Sequence, residues 1–273
     1  MNIFSNFIEQ ERWERVFADL RQIRVSIFNE YKPSPEQLAL NPINILVVGS
    51  EPNEYFGNHD YAVQNWEQFS AVLTWSTKIL NQVPNAVEIV YGESWWQDNP
   101  YEYVDCDKKF AVSFLRGSLL KLHGHYIRHE VYARRNEIKI PTQFWDSLGQ
   151  RGDFNKWRQD KIDSFRPYQY SLCIENSSRD NYFSEKITDC ILNKTIPIYF
   201  GCSNIEKFYN PEGIIQIRNA DEVVRICNEL TPEMYNTKLT AIEENYTRAL
   251  FYKDYVGNVS NTVREILTMN NLL

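Results

Sequence analysis

The sequence predicts an α/β protein built from two doubly wound units. Three observations carry that reading. Dense apolar runs ending at Gly or Ser recur along the chain, as buried parallel strands do. Segments of helical period separate them, and such alternation belongs to parallel sheets with helices on their faces. One polar, aromatic loop at 94–107 interrupts the series, which divides the chain into 1–107 and 108–273.

In order, the stretch MNIFSNFIEQERWERVF reads as an amphipathic helix with Phe7, Ile8, Trp13, Val16, Phe17 and Leu20 turned inward. RVSIF (24–28) and INILVVGS (43–50) follow as strands, then AVLTW (71–75), a short helix over 76–82, and AVEIVYG (86–92). The second block opens with the strand KKFAVSFLRG (108–117) and runs into a helix over 118–135. The Arg- and Trp-rich stretch 136–164 is too polar to be given an element. YQYSLCIENS (168–177) is a strand ending in a loop, SEKITDCILN (184–193) a helix, and TIPIYFG (195–201) a strand. GIIQIRN (213–219) reads as a strand, and DEVVRICNEL (221–230) as a helix capped by Asn219 or Asp221. From 232 to 273 the pattern is helical with a break near Gly257.

The bulk numbers narrow the class. A chain of 273 residues has room for two domains. With 43% hydrophobic and 24% charged residues it can pack a core, which excludes a disordered chain. A net charge of −7 argues against a nucleic-acid partner, because a phosphate backbone demands clustered Lys and Arg. No run approaches the ~20 apolar residues of a membrane span. Glu9, Glu11 and Glu14 stand where a secretory signal would be basic and then apolar, so a cytoplasmic location is expected. Cys106, Cys173, Cys190, Cys202 and Cys227 are odd in number and scattered, which predicts free thiols. The sequons at Asn176, Asn193, Asn245 and Asn258 carry no meaning in that setting.

The segment SLCIENSSRDNYFSEKITDCILNKTIPIYFG holds the most chemistry. A buried strand delivers Glu175 and Asn176 to its carboxyl end, where open α/β sheets bind ligands. A helix then starts near Ser184 with Glu185 and Lys186 in its first turn. Its backbone N–H groups and dipole favour a phosphate, and Lys186 adds a full positive charge. Glu185 is suited to accept hydrogen bonds from a ribose diol. The residue types alone are met also by an ordinary βαβ unit with a solvated Glu–Lys pair, and by themselves favour it.

The same segment resembles glycosyltransferase family 10, the α-1,3-fucosyltransferase family. The likeness rests on Glu175-Asn176-Ser177, Tyr182, the Glu185-Lys186 pair, and the strand Ile196-Pro197-Ile198-Tyr199-Phe200 ending at Gly201. Ile174 stands where the family often has Phe, and Ser184 where it often has Thr. KKFAVSF with the later Tyr126-Ile127-Arg128-His129-Glu130 resembles the family's strand and following helix, which implies Arg128 on the donor diphosphate. ILVVGSEPNEYFGNHDYAV is similar to the N-terminal strand and loop whose Glu is the catalytic base, which implies that role for Glu51.

The resemblance implies the GT-B architecture, two Rossmann-like domains facing across a cleft with C-terminal helices. It implies an acceptor-side domain over 1–107 and a nucleotide-sugar domain over 108–273. The implied reaction is inverting transfer of L-fucose from GDP-fucose to a glycan hydroxyl, without a metal or other cofactor. Asn176 and Tyr182 would complete the phosphate and sugar contacts, beside Glu175, and Glu185 would take the ribose. A monomer in a bacterial cytosol, or in the host cytosol for a viral protein, is the matching expectation. Two other readings stay open: the same fold with a different nucleotide-sugar donor, and a catalytically silent sugar-nucleotide or glycan binder. Asp105-Cys106-Asp107 and the series His123, His125, His129 could in principle hold a metal, which would instead mean a metal-dependent hydrolase. Trp95-Trp96 and Tyr55-Phe56 could stack on an acceptor sugar.

Overall fold

Among the described residues, two five-stranded sheets, parallel in every pairing, organise the chain. The structure, a computed structural model, describes residues 1–6, 10–49, 52, 57–94, 106–146 and 154–273. It divides into a first unit of Met1–Tyr91 with Asp254–Leu273 and a second of Gly92–Lys253.

The first unit's sheet holds β1 (Asn2–Ser5), β2 (Val25–Asn29), β3 (Ile43–Val48), β4 (Ala71–Thr74) and β5 (Ala86–Glu88), paired in that sequential order. Between them run α1 (Gln10–Val16), α2 (Pro35–Leu38), α3 (Asn58–Asn65) and α4 (Thr77–Gln82). Phe28, Leu46, Val48 and Val72 share a core with Ala62 of α3 and Ile79 of α4. Alternation along each strand gives Ile27, Ile45, Val47 and Leu73 to the opposite face, where they are equally buried. Burial on both faces is why these strands read as continuous apolar runs.

The N-terminus departs from expectation. Residues 2–5 form a strand, and the helix starts only at Gln10. Pairing with β2 sets Ile3 opposite Ile27 and stacks Phe4 on Phe28 with ring centroids 5.1 Å apart. A free sheet edge with an apolar face overrides the helical spacing of the sequence. Phe7 and Ile8 lie outside the described residues.

The second sheet holds β6 (Lys109–Arg116), β7 (Thr142–Asp146), β8 (Tyr168–Ile174), β9 (Ile196–Phe200) and β10 (Ile215–Gln216), in the order β10-β9-β8-β6-β7. Its helices are α5 (His123–Ala133), α6 (Phe154–Phe165), α7 (Glu185–Leu192), α8 (Ala220–Glu229), α9 (Pro232–Asn236) and α10 (Leu239–Tyr252). Phe114, Leu172, Ile174 and Ile198 pack with Ile127 and Val131 of α5 and Val223 and Cys227 of α8. The stretch 136–164 does carry elements. β7 pairs with β6 from Thr142 opposite Val112 onward, and α6 leads into β8. An edge strand needs burial on little more than one side, so its polar residues hid it.

The last helix, α11 (Tyr255–Met269), belongs to the first unit, whereas the sequence suggested one boundary near Asp107 with the whole C-terminus on the second side. Its Tyr255, Val256, Val259, Val263 and Leu267 are buried, and Tyr255 meets Trp13 of α1 edge-on at 6.3 Å. Arg12 pairs with Asp254 at 2.8 Å. The break falls at Lys253 and Asp254 rather than Gly257, because Asp254 caps α11 by accepting the Gly257 N–H at 3.0 Å. The five cysteines are free thiols. Among the described residues no helix is long and apolar enough to cross a membrane.

Candidate functional site

The strand order of the second sheet reverses between β6 and β8. Connections leave to opposite sides of such a point, and the carboxyl ends of its strands frame a crevice. Glu175, Asn176 and Ser177 follow β8 directly at that edge, and all three are buried.

Glu175 organises the edge. Its Oε1 accepts the Ser184 N–H at 2.8 Å, its Oε2 accepts the Ser184 hydroxyl at 2.7 Å, and Lys186 Nζ lies 3.4 Å from Oε2. A fully buried carboxylate is tolerated only with such partners. Two glycines make its room. A Cβ on Gly201 would stand 2.5 Å from Glu175 Cγ, and one on Gly124 would stand 1.7 Å from the Glu175 carbonyl oxygen. Gly124 N–H also donates to the Asn176 carbonyl at 3.0 Å, which ties the start of α5 to the end of β8.

Ser184 is the N-cap of α7, accepting the Lys186 N–H at 3.4 Å. The helix start is therefore already coordinated by Glu175 through Ser184, and Lys186 remains the cation placed beside it. Lys186 Nζ is 3.4 Å from Glu185 Oε1, and Lys161 of α6 approaches the same oxygen at 3.8 Å. Burial pushes the Glu185 carboxyl up, but the charges of Lys186 and Lys161, with hydrogen bonds from Ser184 and Lys186, outweigh it and hold the pKa at about 2. Lys161 also pairs with Asp189 Oδ2 at 2.6 Å, and the Ser94 hydroxyl donates to Asp189 Oδ1 at 2.7 Å. Burial pushes Asp189 up to about 6, against the pull of Lys161 and Ser94.

Arg128 of α5 reaches the same strand end. Its Nε donates to the Ile174 carbonyl at 3.0 Å and its guanidinium to Asn176 Oδ1 at 2.9 Å. His125, one turn earlier, accepts the Leu122 and Lys121 N–H groups on Nδ1 at 2.9 and 3.2 Å. Burial lowers its pKa to about 4, and the positive fields of Arg128 and Lys186 act the same way, so both cations lie near this one neutral imidazole. Arg128, Glu175, Asn176, Glu185 and Lys186 are thus brought together. Tyr182 sits in the same loop with its side chain buried, 1% exposed.

Glu51 lies outside the described residues, as do Asp105, Trp95, Trp96, Tyr55 and Phe56. The carboxyl edge of the first sheet carries a cluster the sequence reading missed. Glu30 follows β2 in a left-handed conformation, φ 51°, and is buried. Its carboxylate accepts the Gly49 N–H at 2.8 Å and the Asn58 amide at 2.5 Å. His59 Nδ1 lies 3.1 Å from the Ser76 hydroxyl, against the edge of Trp75. The available signal was positional: residues just past paired parallel strands line up, and Asn29 opposes Val47. Lys161 was missed because α6 was. Among the described residues no three His, Cys, Asp or Glu side chains group as a metal site.

Residues 120–253 match the family described as glycosyltransferase family 10 (fucosyltransferase) C-term. The alpha-(1,3)-fucosyltransferase of Helicobacter pylori is 31% identical over 47% of this chain and 27% of its own length. A putative fucosyltransferase-like protein of Arabidopsis thaliana is 26% identical over 74% of this chain and 38% of its own length. The chain therefore spans well under half of these curated relatives. A crystal structure of an alpha1,3-fucosyltransferase with GDP-fucose is 16% identical and superposes with a TM-score of 0.55, covering 97% of this chain and 89% of that one. A glycosyltransferase of Rickettsia africae, 12% identical, gives 0.59 over 98% and 83%. These likenesses establish the fold class as GT-B. Residues 120–253 are thus a C-terminal domain of glycosyltransferase family 10, the fucosyltransferase family.

Proposed function

We propose that this protein transfers L-fucose from GDP-fucose to a hydroxyl of a glycan acceptor, with inversion at the sugar carbon. The observation that carries this reading is the charged cluster at the β6/β8 reversal: Lys186 beside the capped start of α7, Arg128 on the β8 end, and an ionised Glu185. Lys186 and Arg128 neutralise the departing diphosphate, and Glu185 accepts the ribose hydroxyls. Asn176, already oriented by Arg128, and Tyr182 complete the contacts to the phosphates and donor sugar. Glu51 removes the proton of the attacking hydroxyl on the sugar face opposite the diphosphate. The transition state is oxocarbenium-like, as in inverting hydrolysis with a sugar hydroxyl in place of water.

Donor charge is balanced by these cations, so transfer is expected to persist in EDTA and in the doubly substituted Asp105→Asn, Asp107→Asn protein. Loss of turnover on chelation, restored by Mn²⁺, would return the role to Asp105 and Asp107. The direct test is calorimetric titration with GDP, UDP and dTDP, followed by GDP release from GDP-fucose with and without glycan acceptors. Preferential GDP binding with acceptor-dependent release supports the proposal. Binding without any release would mean a sugar-nucleotide binder.

A further inference from the structure

Lys161 is an unusual residue for its place. Its side chain is 3% exposed, and burying an ammonium costs several kcal/mol unless its surroundings repay it. The partner that anchors it is Asp189, fully buried and itself fixed by Ser94. Asp189 and Glu185 stand four residues apart on α7, so two carboxylates share one helix face and repel. Lys161 bridges them from α6, at 2.6 Å from Asp189 and 3.8 Å from Glu185. A mere counter-ion for Asp189 would have no reason to approach Glu185, which is the only one of the pair with any solvent access, 18% exposed.

Lys161 and Lys186 converge on the same atom, Glu185 Oε1. Both cations therefore draw on the carboxylate through one oxygen, from the side of α6 and the start of α7. Their pull keeps the group ionised, and an ionised carboxylate accepts roughly twice as strong a hydrogen bond as a neutral group. Lys186 is partly exposed and has a second task beside the phosphates, so the rigid member of the pair is Lys161. We infer that Lys161 is a positioning residue for nucleotide recognition: anchored by Asp189 and Ser94, it holds Glu185 in the orientation that accepts the ribose diol of the donor. The inference rests on the placement of Glu185 at the ribose given above.

The test compares GDP with 2′,3′-dideoxy-GDP by calorimetry, in wild type, Lys161→Met, Lys161→Arg and Glu185→Gln. Wild type should favour GDP by roughly tenfold or more, the scale of a hydrogen bond to a charged group. Lys161→Met should bring that ratio close to one by weakening GDP alone, and Lys161→Arg should restore most of it. A Lys161→Met protein that keeps the wild-type ratio, even if both ligands bind more weakly, overturns the inference and leaves Lys161 a structural residue. If wild type itself does not discriminate, the ribose placement of Glu185 fails first, and Glu185→Gln will behave like wild type. Should Lys161→Met not fold, Asp189→Asn serves instead. It removes the anchor while keeping the Ser94 bond, so the ratio should fall, and an unchanged ratio overturns the inference.

Discussion

The two sheets present their carboxyl edges with different chemistry. In the second unit the strand order reverses, and the edge gathers Arg128, Lys161 and Lys186 among Glu175, Glu185 and Asp189. In the first unit the order is sequential, and at the described edge the buried Glu30 is bonded to Gly49 and Asn58, with His59 against Ser76 nearby. A reversal opens a crevice that cations then suit to a diphosphate. On the function proposed above, nucleotide binding and acceptor chemistry would fall to separate units, and each half of that proposal can be broken separately.

The largest effect should come from Glu51→Gln. Transfer is expected to fall by roughly 10²–10⁴, the range for a positioned general base, while GDP affinity stays as in wild type. GDP release kinetics beside a GDP titration checks both halves. Near-normal turnover would move the base to another carboxylate of that loop region, Glu54 or Asp60 first, although Asp60 is paired with Lys78.

Acid should act chiefly on the second unit. His125 is a base whose folded pKa, about 4, lies below its ordinary 6.5. Its contribution is full above pH 6.5 and is lost as pH falls toward 4, since the unfolded chain binds the proton first. The shift is worth about 3 kcal/mol at most. Urea unfolding at pH 7 and pH 4.5 should show that loss in wild type and a flatter response in His125→Gln. Equal acid sensitivity in both would assign the effect to the carboxylates.

Lys186→Ala should weaken GDP binding by roughly 1.5–3 kcal/mol and also cost some stability, because it takes a cation from the buried Glu175. Arg128→Ala should weaken it similarly and also lower stability, because its guanidinium holds the Ile174 carbonyl and Asn176. If both variants bind GDP like wild type, the diphosphate does not sit at this edge.

The smallest change is Glu30→Gln, which keeps the shape but weakens the bonds to Gly49 and Asn58. A cost of about 1 kcal/mol, read as a lower Tm, with unchanged GDP affinity, is expected. Weaker GDP binding in this variant would show that the two edges are not independent.

The sequence by itself determined the α/β class, the strand β8 that ends at Glu175, and the α7 start with Ser184, Glu185 and Lys186, because these are encoded locally. Strand burial leaves an apolar run, and a cap leaves a polar residue just before a helix. The family resemblance, too, was legible there, since its fixed points fall within one βαβ unit. Only the tertiary structure decided the rest. That Arg128 turns to Ile174 and Asn176, that α11 packs with α1 in the first unit, and that residues 2–5 form a strand all depend on partners distant in the chain. The same holds for Lys161, a lysine in a polar stretch whose sequence neighbours do not predict burial. An amphipathic pattern states that a face will be covered, while the identity of the cover is set by packing, and packing is a property of the folded whole.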